Sequence, residues 1–174
     1  MFKAISFIVA LLIAGLLIFA ATKPDTFRVE RTTSIKAPPE KIASYINDFH
    51  NWGAWSPWEK MDPKMKRSFS GTPSGVGTVY EWQGADKVGT GRMEIVDITP
   101  SKTTIKLDFS KPFAAHNTAE YTLEPKGDST QVTWAMFGPA PFMSKVMGVL
   151  FNVDKMVGKD FETGLANLKT AAEK

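Results

Sequence analysis

The chain has 174 residues, a formal net charge of +3 and no cysteine. The missing cysteines exclude disulfides, thiolate metal sites and cysteine nucleophiles while leaving the compartment open. With residues 1–23 set aside, 151 residues remain, enough for one domain with a sizeable core, and their 19 basic against 18 acidic side chains give no case for nucleic-acid binding.

At the N-terminus, Ala4 to Ala21 runs for 18 residues without a charge, with Ser6 as its one polar side chain. At about 1.5 Å per residue such a run makes roughly 27 Å of helix, near the ~30 Å hydrocarbon core of a bilayer. A cleaved secretory signal is the competing reading, but its apolar region is usually about 7 to 15 residues long and ends in an Ala-x-Ala site. Phe19-Ala20-Ala21-Thr22 is a weak imitation of that site. The expectation is a single-pass transmembrane signal anchor over residues 1–23 and a globular domain over 24–174. Lys3 and the free amine would lie inside, and the domain on the extracytoplasmic side.

Phe27 to Ile35 is rich in β-branched residues and reads as a first strand. Pro38-Pro39-Glu40 then sets the start of a short helix whose Ile42, Tyr45, Ile46 and Phe49 recur at i, i+3, i+4 and i+7. Directly after it, Asn51-Trp52-Gly53-Ala54-Trp55-Ser56-Pro57-Trp58 packs three of the five tryptophans into seven residues. Gly53 and Pro57 make this a poor helix and a poor strand, so it reads as a loop closing over an apolar space. From Met65 to Gly138 short period-two segments alternate with turn signals at Gly71-Thr72-Pro73-Ser74-Gly75, Gly84-Ala85-Asp86, Thr99-Pro100-Ser101-Lys102 and Pro125-Lys126-Gly127-Asp128. That pattern predicts an antiparallel meander of six strands, seven with the first. Past Pro139 and Pro141, Val146, Leu150, Val153, Val157, Phe161, Gly164 and Leu168 share one helical arc, which predicts a long amphipathic helix with a bend near Asn152.

Three local patterns carry a resemblance: the strand with Ala37-Pro38-Pro39-Glu40-Lys41 and the helix to Asp48-Phe49, the tryptophan segment, and the stretch Val146 to Leu168. Together, over roughly residues 27–172, they resemble the START-like or SRPBCC helix-grip superfamily, in particular its polyketide cyclase/dehydrase-like branch. The resemblance implies an α+β helix-grip fold, a curved antiparallel sheet of about seven strands wrapped on a long C-terminal helix with a cavity between them. Members bind lipids, polyketides, hormones or quinones, cyclise polyketides, or act as co-chaperones, and they bring no shared catalytic motif.

Candidate ligand-binding side chains are the apolar groups expected on the inner face of the sheet, the lid and the long helix. They are Trp55, Trp58, Trp82, Ile105, Leu107, Trp134, Met136, Val146, Leu150, Val153, Val157 and Phe161. Trp52 is placed behind Trp55 and Trp58 as pocket lining, and Phe142, Met143 and Met147 serve equally as core filler. Acid/base candidates are Arg92, His116, Tyr80 and Glu120, each with a solvated or ion-paired role as the blander and preferred alternative. Asp160 flanks the apolar face of the helix, where a carboxylate is costly unless paired. Two histidines, His50 and His116, and no cysteine give no basis for a metal site, and no cofactor motif is present. Lys64, Lys66 and Arg67 read as a solvated face rather than an anionic-lipid contact. The expected function is a membrane-anchored monomeric binding protein for a hydrophobic small molecule or lipid. The alternatives are a metal-free enzyme of polyketide cyclase/dehydratase type and a co-chaperone-like interaction module with a filled interior.

Overall fold

The computed structural model describes residues 2–85 and 88–174, with side chains from Ile5 onward. The Asp86 end of the turn expected at Gly84-Ala85-Asp86, and the Lys3 side chain used to orient the anchor, lie outside the described residues.

The period-two segments form one seven-stranded antiparallel sheet. Its strands are β1 (Thr26–Ile35), β2 (Lys66–Gly71), β3 (Thr78–Gln83), β4 (Thr90–Thr99), β5 (Lys102–Lys111), β6 (Ala115–Lys126) and β7 (Ser129–Pro139). The order across the sheet is β1-β7-β6-β5-β4-β3-β2, so the meander from β2 to β7 is closed by the first strand pairing with the last. Alternation settles the two faces. Met93, Ile95, Ile105, Leu107, Ala119, Tyr121, Val132 and Trp134 are buried on the inner one, while Lys106, Asp108, His116 and Glu120 lie on the other. The strand irregularity expected around Gly89-Thr90-Gly91 is a register shift between Thr90 and Gly91. Gly91 is needed there because a Cβ would meet the Trp82 ring at 2.5 Å and the Asp108 carbonyl at 2.6 Å.

Between β1 and β2 the chain forms α2 (Pro39–Ile46), a 3₁₀ helix (Phe49–Ala54) and the one-turn α3 (Trp58–Met61). The tryptophan segment is thus helical in two short pieces rather than a loop. Pro57 stands at the N-cap of the second piece, Gly53 is taken up within the first, and Asp48 caps the first by accepting from the His50 N–H. Trp52 and Trp55 are buried, and their indole N–H groups donate to the carbonyls of Ile46 and Tyr45, both at 3.0 Å.

The C-terminal helical stretch is two helices, not one bent helix. α4 (Phe142–Leu150) ends at Phe151, whose backbone is extended, and α5 (Val153–Ala172) starts anew with Asn152 Oδ1 accepting from the Lys155 N–H at 2.8 Å. α5 alone lies on the sheet, burying Phe161, Leu165, Leu168 and Ala172. Arg31 of β1 binds it through Glu162 at 2.8 Å and Asp154 at 3.1 Å. Gly158 sits midway between those two acids, where a Cβ would come within 2.0 Å of the Arg31 guanidinium. The glycine that weakens the helix is therefore what lets the arginine cross it.

The expected membrane anchor is corrected. The N-terminal apolar run forms helix α1 (Phe2–Ala21), yet among the described residues no helix is long and apolar enough to cross a membrane. α1 instead packs on α4 and buries Ala20, while most of its larger apolar side chains stay exposed. The transmembrane signal anchor, the single-pass location, the orientation and the membrane partnership inferred from it fall together.

Gly164 sets how closely α5 approaches the sheet: a Cβ there would lie 2.7 Å from Trp134 Cζ3 and 3.1 Å from Pro57 Cδ. Gly164→Ala gains about 1 kcal/mol of helix propensity but overpacks a stacked ring, which costs typically ~1–3 kcal/mol. We expect a net loss of about 1 kcal/mol in urea denaturation; a variant as stable as the parent or more so would show that the ring yields.

Candidate functional site

Between the inner face of the sheet, α3 and α5 lies an apolar cavity of about 200 Å³. Trp52, Trp58, Met65 and the one-turn helix close one side, Tyr80, Trp82, Met93, Leu107, Ala119, Tyr121, Trp134 and Met136 supply the sheet wall, and Val157, Asp160 and Phe161 the α5 wall. The volume is of the order of a cavity of about 150 Å³ that stays dry and takes benzene. Its size suits a one- or two-ring group or a short chain.

The wall is held by aromatic stacking. Trp134 lies flat between Phe161, at 4.1 Å and 7°, and Tyr121, at 5.1 Å and 29°. Trp58 meets both Trp134 and Phe161 edge-on. Two buried polar atoms of this wall have no hydrogen-bond partner among the described residues, the Tyr121 hydroxyl and Trp134 Nε1. Three other polar side chains of the lining, Tyr80, Glu59 and Trp82, have partners. The Tyr80 hydroxyl donates to Glu59 Oε1 at 2.5 Å, Arg67 donates to Glu59 Oε2 at 2.6 Å, and Trp82 Nε1 donates to the Val88 carbonyl at 3.2 Å. Burial, reinforced by donation to Glu59, pushes the Tyr80 phenol above its ordinary value, and burial alone raises Tyr121. Both are neutral at physiological pH.

Residues 26–173 match the family described as polyketide cyclase / dehydrase and lipid transport. The chain belongs to that family. No curated protein matches it. Among solved structures, major latex-like protein 151 from Panax ginseng superposes with a TM-score of 0.62 at 14% identity, over 87% of this chain and 100% of that one. The di-domain ARO/CYC protein StfQ of the steffimycin biosynthetic pathway gives 0.62 at 11% identity, over 85% of this chain and 51% of that one. Aha1 from Colwellia psychrerythraea, solved as a dimer, gives 0.55 at 17%, over 84% and 96%. At these identities the likeness is one of fold.

Within this polyketide cyclase/dehydrase family domain, seven of the twelve side chains expected to bind ligand line the cavity: Trp58, Trp82, Leu107, Trp134, Met136, Val157 and Phe161. Trp55 and Ile105 are fully buried core away from it, and Val146, Leu150 and Val153 are partly or largely exposed because the helix breaks at Phe151. Of the acid/base candidates only Tyr80 faces the cavity. Arg92, His116 and Glu120 lie on the outer face of the sheet and pair with Glu94, Asp108 and Lys102. Arg92 and His116 border a broad open groove there with Lys66 and Arg67. Their parity marks this side: Arg92 adjoins inward Met93, and His116 and Glu120 alternate against Ala119 and Tyr121. Sequence reasoning missed Glu59, Met65, Val88, Met93, Ala119 and Tyr121; for Tyr121 the same alternation was a usable signal, whereas Glu59 sits on a helix too short to read.

Asp160 is half-buried on the cavity wall, and burial raises its carboxyl above the ordinary range against a weak opposing pull from Lys159. Ionising it therefore costs folded-state stability, which is whole below about pH 4, the unfolded value, and is lost as pH rises through the folded pKa. Asp160→Asn should melt with the parent near pH 4 and above it by a widening margin toward pH 7, measured by thermal denaturation across that range. A gap that does not change with pH would contradict the assignment.

Proposed function

We propose that this domain takes an apolar small molecule, of the size of a one- or two-ring group or a short acyl chain, into the cavity between sheet and α5. The observation that carries this reading is the cavity itself: its lining is overwhelmingly apolar and aromatic, yet two of its side chains carry a buried donor without a partner among the described residues. A core optimised only for stability fills such space, because a void forfeits dispersion contacts and an unpaired buried donor costs about 1–3 kcal/mol. The family description, which joins cyclisation or dehydration of polyketides to lipid transport, supports an apolar guest. The interaction-module reading calls for a filled interior, against which this cavity weighs.

A second reading makes the guest a substrate. It is favoured by Asp160, a carboxyl of raised pKa on the cavity wall, and by the Tyr121 and Trp134 donors of the sheet wall, all three side chains without a partner among the described residues. A carboxyl so placed suits proton removal next to a ketone, with the donors stabilising the developing enolate, as cyclase or dehydratase chemistry requires. Under that reading Asp160→Asn keeps affinity and loses turnover of a β-diketone.

Native mass spectrometry of the full chain, followed by solvent extraction, tests the binding reading. The expected result is one apolar molecule per chain, retained from the expression host or taken up on mixing. Ala119→Leu, which fills the cavity from β6, should abolish that uptake while leaving the melting temperature equal or higher. Uptake unaffected by the larger side chain would place the guest elsewhere.

A further inference from the structure

The lining of the cavity is one-sided in its charge. Eight of its side chains are aromatic and two are carboxylic acids, Glu59 and Asp160, with no lysine, arginine or histidine among them. Aromatic faces carry partial negative charge, so rings and acids together repel an anion and receive developing positive charge. The two acids differ in what they have left to bond. Glu59 takes the Tyr80 hydroxyl on one oxygen, at 2.5 Å, and Arg67 Nε on the other, at 2.6 Å. Asp160 has no partner among the described residues, and Lys159 beside it on α5 is exposed. It follows Val157 by three residues and precedes Phe161, both on the same wall. Unlike the sealed polar atoms of Tyr121 and Trp134, this side chain keeps accessible surface.

A half-buried carboxyl on such a wall is best met by a group that shares its proton. A saturated amine is charged in water at pH 7 and must shed its hydration to enter. A ketone oxygen is too weak a base to draw the proton toward itself. An aromatic ring nitrogen avoids both costs: it is uncharged in water, accepts from the O–H, and leaves a net-neutral N–H···O pair if the proton crosses. Its ring is flat and apolar, matches a space of one or two rings, and gains from π faces when it carries positive charge. We propose that Asp160 anchors an aromatic nitrogen base, a pyridine- or quinoline-type ring, whose nitrogen shares one proton with the carboxyl while the rest of the ring lies within the aromatic lining. This rests on the binding reading and names a guest class for it. Burial, by raising the Asp160 carboxyl, keeps that proton at hand.

Quinoline and naphthalene have the same outline and differ by one ring nitrogen, while N-methylquinolinium carries a permanent charge and no lone pair. Affinities for the full chain are measured at pH 7 by ligand-observed NMR for the parent, Asp160→Ala and Asp160→Leu. Naphthalene leaves water more readily, so the informative quantity is the ratio of quinoline to naphthalene affinity, compared between proteins. Loss of the hydrogen bond should lower that ratio about tenfold in both variants. A carboxyl that merely shapes the wall would move both probes alike, and an unchanged ratio in either variant overturns the anchor. N-methylquinolinium should bind the parent more weakly than quinoline; equal or tighter binding would show attraction by charge alone and also overturns it. Should neither quinoline nor naphthalene bind the parent, the cavity reading itself fails, an outcome distinct from an unchanged ratio.

Discussion

The arrangement depends on one stack, Tyr121 on Trp134 on Phe161, which joins the sheet to the C-terminal helix through three aromatic rings. Rings of this size fix a spacing that smaller side chains would let collapse, and each contributes about 0.5–1.5 kcal/mol beyond its buried area when paired. Gly164 lets the helix come down onto the Trp134 edge, and Arg31 holds it from β1 through Asp154 and Glu162. Beside this pillar the sheet and helix do not meet, and the cavity is what remains. The same residues that hold the two layers together thus form the wall of the site, and their polar atoms are the ones left unpaired.

Charge is partitioned to match. The outer face carries ion pairs along and between strands, Arg92 with Glu94 on β4, Lys106 with Asp108 on β5, and, from β5 to β6, Asp108 with His116 and Lys102 with Glu120. These are solvent-screened and contribute little each. Inside, ionisable groups are few and individually accounted for. Glu59 is neutralised by Arg67 and accepts from Tyr80, which ties α3 to β2 and β3, whereas Asp160 has no partner among the described residues. For the proposed guest, such an interior favours neutral molecules.

Much of this was legible in the amino-acid sequence. Seven strands and their inner face follow from period-two alternation, because one side of an antiparallel sheet must be dry. The same parity places Arg92, His116 and Glu120 outside, a deduction that polarity alone obscures when a residue is weighed as a catalyst. The break at Phe151 was not legible: the apolar arc from Val146 to Leu168 continues through it, and only the extended backbone ahead of the Asn152 cap reveals two helices. Nor was the exchange of roles between Trp52 and Trp55, since a 3₁₀ turn rotates successive side chains differently from a loop. The apolar run at the N-terminus has the composition of a membrane span, but composition does not show that its helix packs on α4.

The central claim is that a guest enters beside the aromatic pillar and reaches Trp134. The most direct measurement is an indole-region ¹⁵N–¹H correlation spectrum of the full chain during titration with acetophenone, a one-ring apolar probe that the cavity can hold. The five tryptophans each supply a reporter there. The account predicts saturable shifts of the Trp134, Trp58 and Trp82 N–H signals, whose rings line the cavity, and an unmoved Trp55, whose N–H is already bound to the Tyr45 carbonyl. A Trp134 resonance that stays fixed while the ketone binds, or shifts spread evenly over all five indoles, would contradict it.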